Sequence, residues 1–145
     1  MFKGEYQQLI DDRGRIIVPA KMREALGQEI VMTKGLDQCL FVCSAAGWED
    51  INDKAKKLSL TNQAARAFLR TLYSGAMDVE LDSQKRALIP PALRKYAGLE
   101  RDVVIIGVGT RVEIWDKDKW SEYSEKSAAE YEATAEKLAG LETVF

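Results

Sequence analysis

No histidine occurs anywhere in the chain. Hydrolytic triads, imidazole acid–base chemistry and most transition-metal sites therefore lose their usual participant. Cysteine is limited to Cys39 and Cys43, both in the apolar run CLFVC. On a strand they would share a face about 13 Å apart, at roughly 3.3 Å per residue, too far for a disulfide. Two thiols also make a poor metal site, so both read as buried structural residues in a reducing cytoplasm. No apolar run approaches the roughly eighteen residues that span a bilayer. The opening MFKGEYQQLIDD turns polar too soon for a signal peptide. Phosphate-binding glycine loops are missing as well: GVGT at Gly107–Thr110 has neither a Gly-Lys-Ser/Thr nor a dinucleotide-binding continuation.

A strong charge of either sign is also absent, the formal net charge being -2 over 145 residues. The distribution is uneven. Residues 1–75 hold 11 Lys/Arg against 9 Asp/Glu, and residues 76–145 hold 10 against 14. Any basic footprint for nucleic acid must therefore be local.

What the sequence does contain is a repeat. DDRGRIIVPAKMREALG at Asp11–Gly27 returns as DSQKRALIPPALRKYAG at Asp82–Gly98, offset by 71 residues. Each copy opens on Asp, carries Arg four residues later and Pro four beyond that, and ends at Gly. Period-two alternation before each Asp, through Tyr6, Gln8 and Ile10 and through Met77, Val79 and Leu81, predicts half-buried strands. The runs RIIVP and RALIP predict second strands, each ended by proline. AKMREALG and PALRKYAG predict two-turn helices closed by Gly27 and Gly98. EIVMT with CLFV, and DVVIIGV with VEIW, predict two further strands per copy. Each copy launches a helix near Trp48 or Trp120, and core packing is the ordinary use of Trp48, Trp115 and Trp120.

Two such units are too small to bury both faces alone and are expected to share a barrel-like core about a pseudo-twofold axis. Between them, Ala65, Phe68, Leu69 and Leu72 mark an amphipathic helix over 61–73 that Thr61 can cap. A C-terminal helix is expected from about Lys117 to Ala139, with Trp120, Tyr123, Ser127, Tyr131 and Leu138 along a thin stripe. The expected organisation is a first repeat at 4–48, a helical linker at 49–75, a second repeat at 76–120 and a C-terminal helix and tail at 121–145.

Asp11/Arg15 and Asp82/Arg86 flank two hairpin turns that pseudo-symmetry would bring to one face. Arginine forks onto a guanine edge or a phosphate, and Asp11 and Asp82 would orient it. Arg13, Lys85 and Lys21 would add phosphate contacts that set position rather than sequence. An Asp–Arg pair across a turn can equally serve hairpin stability alone, and is worth little at an exposed site. Gly14 supplies the positive φ that a tight turn often needs. Ser83-Gln84-Lys85 has no glycine, so that turn either differs or holds Gln84 in a strained conformation.

Further stretches stand out: M-F-x-G-E-Y at the start, D-x-x-G-R-I-x-x-P-A-K-x-R at Asp11–Arg23, and G-L-D-x-C-L at Gly35–Leu40. With them go A-R-A-F at Ala65–Phe68, L-D-S-Q-K-R at Leu81–Arg86, a partial match, and L-I-P-P-x-L-R at Leu88–Arg94. Together they resemble the MraZ family of bacterial proteins. The resemblance covers Phe2 to about Tyr123. It implies a mainly β fold with accessory α-helices, in which two tandem AbrB-like swapped-hairpin units form one double-split β-barrel. It also implies a ring-shaped homo-oligomer that binds double-stranded DNA at direct repeats in the promoter of the division and cell-wall gene cluster. The arginines of the Asp-x-x-x-Arg signature, Arg15 and Arg86, would carry the DNA contact. The expected protein is a cytoplasmic, nucleoid-associated transcriptional regulator without cofactor, membrane or small-molecule substrate.

Two binding alternatives remain beside this reading: a ring-forming assembly module without specific DNA readout, and an antitoxin-like binding protein. The latter usually has a disordered toxin-wrapping tail, whereas this C-terminus is helix-prone. An enzyme is disfavoured, because Asp11, Asp12 and Asp82 lie at turns without the burial that raises a carboxyl pKa.

Overall fold

The computed structural model describes residues 1–140. In the first half, β1 (Glu5–Leu9), β2 (Arg15–Ile17), α1 (Ala20–Leu26), β3 (Glu29–Lys34) and β4 (Leu40–Ser44) follow in order. The second half repeats that order as β5 (Met77–Glu80), β6 (Arg86–Leu88), α4 (Pro91–Ala97), β7 (Asp102–Gly107) and β8 (Val112–Asp116). Between the halves lie α2 (Ala45–Ala55) and α3 (Gln63–Ser74), and after them α5 (Lys117–Ala129) and α6 (Tyr131–Leu138).

The halves exchange strands. One six-stranded antiparallel sheet runs β1-β7-β8-β4-β3-β5, so each half contributes an edge strand to the other half's end of the sheet. Reading that order backwards gives the same pattern with the halves interchanged. β2 and β6 pair only with each other, as a separate antiparallel ribbon.

The expected mainly β barrel is not found. Helix (41%) outweighs strand (28%), and no sheet closes among the described residues. Two causes can be named. Edge strands β1 and β5 stand at opposite ends of the sheet and never meet. β2 and β6 are three residues long, and Pro19 and Pro90 soon follow them, with fixed φ and no N–H to extend a ladder. Most of the helix lies in α2, α3, α5 and α6, outside the repeated motifs.

The two halves share one core. Ile16, Met22, Ile30, Met32 and Leu40 from the first half pack in one buried cluster with Ala87, Ile89, Leu93, Val103 and Ile105 from the second. Burying one such aliphatic side chain fully is worth about 1.5–3 kcal/mol, and separating the halves would expose both sets. Close backbone approach also fixes the sheet's edge: a Cβ at Gly107 would run into the backbone of Lys3, and Gly107 N donates to Gly4 O at 2.9 Å.

Three details depart from the sequence reading. Asn62, not Thr61, caps α3, its side chain accepting from Ala65 N at 3.0 Å, while Thr61 bonds Ser59 instead. The C-terminal helix is broken at Glu130 (φ -101°, ψ 7°), giving α5 and α6. The end of the expected tail, residues 141–145, lies outside the described residues. Cys39 and Cys43 are free and buried. Burial, aided by the nearby Glu113 carboxylate, pushes the Cys39 thiol up to about 12, and burial pushes Cys43 up to about 11, so neither is a ready nucleophile. Buried Glu113 accepts from Arg111 Nε at 2.9 Å and from Trp115 Nε1 at 3.0 Å, which satisfies both carboxylate oxygens.

Candidate nucleic-acid interface

Each hairpin turn is built around its own aspartate. In the first, Asp11 Oδ1 accepts from Arg13 N and Arg15 N, both at 2.9 Å, and Oδ2 accepts from Arg15 Nε at 2.8 Å. In the second, Asp82 Oδ1 accepts from Gln84 N and Arg86 N, both at 2.9 Å, and Oδ2 accepts from Arg86 Nε at 2.8 Å. The backbone bonds match as well: Gly14 N donates to Asp11 O, and Lys85 N to Asp82 O, each at 3.0 Å. The two turns are therefore the same structure.

The missing glycine does not alter the second turn. Lys85, the counterpart of Gly14, takes the left-handed backbone itself, at φ 64° against 82° for Gly14. The strained residue is Lys85 rather than Gln84. An Asp-anchored turn with three fixed bonds over-determines that conformation.

Fixing Nε to the carboxylate has a chemical consequence. It holds the guanidinium plane while its terminal nitrogens remain for another partner; among the described residues, those of Arg15 make no hydrogen bond. The arginine side chains are half-buried, at 24% and 25% exposed. Asp11 lies below the usual carboxylate range because the Arg15 backbone N–H donates to it, with burial opposing and the Arg15 side chain and Arg13 N–H adding to the shift. Asp82 is lowered by the equivalent set, led by the Arg86 backbone N–H.

The pairs also stand together. Arg86 Nη1 lies 4.0 Å from Asp11 Oδ2, across the halves, because β2 and β6 pair with Arg15 opposite Leu88 and Ile17 opposite Arg86. Of the other expected contact residues, Arg13 and Lys85 are exposed on the turns, and Lys21 is exposed on α1. Arg13 and Lys85 are not equivalent positions, since the residue matching Arg13 is Gln84.

The sequence reading missed Arg23 and Arg94. Arg23 Nη1 donates to Val18 O at 3.1 Å, and Arg94 Nε to Ile89 O at 3.0 Å, tying each short helix back to the end of the preceding ribbon strand. Arg94 also lies against the first turn, where a Cβ on Gly14 would come within 2.7 Å of its Cζ. Both arginines stand at the same place in the repeat, 71 residues apart, which was the available signal. The groove beside this turn, about 520 Å³, is lined by Asp11, Asp12 and Glu100 as well as Arg94 and Arg101. Its mixed charge does not favour an anion. No group of three or more potential metal-ligating residues forms among the described residues, and no described helix is long and apolar enough to cross a membrane.

The family model described as "MraZ protein, putative antitoxin-like" matches residues 1–71 and again residues 72–141. The chain belongs to the MraZ family. The two matched segments meet after residue 71, and 71 residues is also the offset between the Asp-anchored turns. Among curated MraZ relatives, the transcriptional regulator of Acetivibrio thermocellus is 52% identical over 97% of this chain and 99% of its own length. The transcriptional regulator of Clostridium beijerinckii is 54% identical over 97% and 99%, and that of Heliobacterium modesticaldum 54% over 95% and 96%.

Proposed function

We propose that this MraZ-family chain is a transcriptional regulator that binds double-stranded DNA sequence-specifically through its Asp-x-x-x-Arg turns, as a ring-like homo-oligomer in the cytoplasm at the nucleoid. The observation that carries the reading is the adjacent placement of Arg15 and Arg86, each anchored through Nε by an aspartate. A pre-oriented guanidinium whose terminal nitrogens make no hydrogen bond within its own turn suits a guanine O6/N7 edge. In this reading Arg13, Lys85 and Lys21 contact phosphate. Segments 4–48 and 76–120 supply the turns, and segment 49–75, with α5 and α6 of the C-terminal segment, packs between copies. Support for packing comes from Leu58, Leu60, Phe68 and Tyr73, large side chains on and before α3 that are 41–71% exposed. The target is the set of repeated boxes in the promoter of the division and cell-wall gene cluster. A ring would engage several boxes at once and turn modest single contacts into high avidity, which suits a chain of weak net charge.

The test is binding to the promoter of the chain's own operon against a scrambled duplex at two salt concentrations. Preference for the promoter, lost in Arg15→Ala and in Arg86→Ala with oligomer size unchanged, is the expected result. Equal and salt-sensitive binding to both duplexes would leave only electrostatic attraction and overturn the reading.

A further inference from the structure

The ribbon formed by β2 and β6 has two unlike faces. Ile16 and Ala87 point inward and are 2% and 0% exposed. The opposite face carries Arg15 and Ile17 from one strand and Arg86 and Leu88 from the other. Ile17 and Leu88 are each 49% exposed, on the same ribbon face as the two guanidinium groups. The ladder bonds Val18 N to Lys85 O and Ile89 N to Gly14 O fall on the alternate residue pairs. Arg15/Leu88 and Ile17/Arg86 are therefore non-hydrogen-bonded pairs, the kind in which opposing side chains lie closest. The face holds two arginine–aliphatic pairs, related by exchange of the halves.

We propose that Ile17 and Leu88 are specificity-determining residues that pack on thymine 5-methyl groups while Arg15 and Arg86 bond neighbouring bases. The inference rests on the DNA-binding reading above and adds the base that the site reads. Three points support it. The major groove of B-DNA admits a two-stranded β-ribbon, and the thymine methyl is the apolar feature it displays. This ribbon is separate from the six-stranded sheet and is therefore free to enter a groove as a unit. Residues i and i+2 on one strand face are about 6.6 Å apart, close to two base steps at about 3.4 Å each, so Arg15 and Ile17 can address bases on one DNA strand. Charge complementarity selects the occupant: an apolar partner protein would have to cover two guanidinium groups, whereas DNA supplies acceptors for them and methyls for the aliphatic pair.

The halves are not identical around this face. Leu9 joins Ile17 in a shallow groove that Gln7, Gln8, Asp102 and Lys117 also line. The position matching Leu9 in the second half is Glu80. The Ile17 side is accordingly the more apolar, and carries the larger share of methyl reading.

The experiment uses the full chain and its own promoter duplex, with the thymines of the repeated boxes replaced by uracil, which removes only the methyl. Affinities are measured for the unaltered protein, Ile17→Ser and Leu88→Ser, with oligomer size and thermal unfolding followed in parallel. Expected is a loss of about three- to fivefold per contacted methyl for the unaltered protein, the factor that burying one CH₂-sized group provides, and a smaller loss in the variants, Ile17→Ser most of all. Equal affinity of the unaltered protein for both duplexes would overturn the proposal while leaving DNA binding intact. So would the same uracil penalty in protein and variants. Smaller oligomers formed by the variants would assign the pair to contacts between copies and overturn it too. Absence of any promoter preference would overturn the wider reading together with this one.

Discussion

Arg86 stands 4.0 Å from Asp11, the carboxylate that anchors the other turn. Asp11 therefore faces two guanidinium groups, whereas Asp82 has an ion pair only with Arg86 among the described residues. Equal hydrogen bonding within the turns thus coexists with unequal coupling between them. Asp11→Asn should weaken promoter binding more than Asp82→Asn, because it loosens both arginines. Arg15→Lys should not restore binding: one ammonium cannot hold the aspartate and present a planar fork to a base. One bidentate base contact is worth about 1–3 kcal/mol, so the loss should be about fivefold to a hundredfold or more. Titration of the four proteins against one promoter duplex checks this, and equal affinities for the two Asn variants would refute the asymmetry.

Lys85 occupies the left-handed backbone that Gly14 occupies in the first turn. That conformation costs a non-glycine residue about 1–2 kcal/mol, offset in part by the extra chain entropy that glycine loses on folding, about 0.5–1 kcal/mol. Lys85→Gly should therefore raise stability by about 0.5–1 kcal/mol. It should also remove one cation from the DNA face and reduce the salt slope of binding by about 1. Urea unfolding and salt titration would move in these opposite directions. Gly14→Ala should destabilise, by about 1–3 kcal/mol, since the positive φ is unfavourable for alanine and the Arg94 guanidinium would have to shift to admit the methyl.

The legible and illegible parts of this molecule divide by the range of the interactions. The repeat, the Asp–Arg anchoring, the order of elements within each half and the glycines after α1 and α4 depend on residues a few positions apart, and the sequence carries those signals directly. How the strands from the two halves close does not. RIIVP and RALIP read as strands in a barrel wall, yet Pro19 and Pro90 restrict them to a ribbon, and no local pattern reveals that β1 pairs with β7 rather than with β5. The missing glycine of the second turn leaves either a different turn or a strained Gln84 on the sequence reading, although the 71-residue offset places Lys85, not Gln84, opposite Gly14. Lys85 takes the positive φ, and the turn keeps its shape through Asp82 accepting from Gln84 N and Arg86 N. The break at Glu130 lacks the Gly or Pro that would announce it. Arg94 gains its place against Gly14 through packing of one half on the other, which only the folded chain displays.

Thr33 holds the linker to the sheet. Its hydroxyl, fully buried, donates to Leu72 O at 2.8 Å. Near the end of α3, Thr71 O accepts from Gly75 N and Tyr73 O from Ala76 N, and the Thr33 hydroxyl serves the carbonyl between them, one of the orphan acceptors that every helix end leaves. Thr33→Val keeps the shape and removes the donor. It should cost about 1–3 kcal/mol for the carbonyl left buried. Hydrogen exchange should show the last turn of α3 opening more readily while the interior strands β7 and β8, away from α3, stay protected, and uniform loss across the sheet would contradict the local role.

The two anchoring carboxylates also predict how stability depends on pH. Asp11 and Asp82 are both lowered from 3.8 in the folded chain, chiefly by backbone N–H donors from Arg15 and Arg86. The unfolded chain takes up protons first as pH falls, so the stability these groups contribute is complete above 3.8 and is lost as pH drops through the lowered folded values. A difference measurement isolates the contribution of these two groups. The urea midpoint of the native protein should exceed that of the Asp11→Asn/Asp82→Asn double variant at neutral pH, and the gap should narrow progressively in the acid window. A gap that stays constant would mean that these bonds do not favour the ionised carboxylates, and the turns would then owe their shape to the backbone bonds alone.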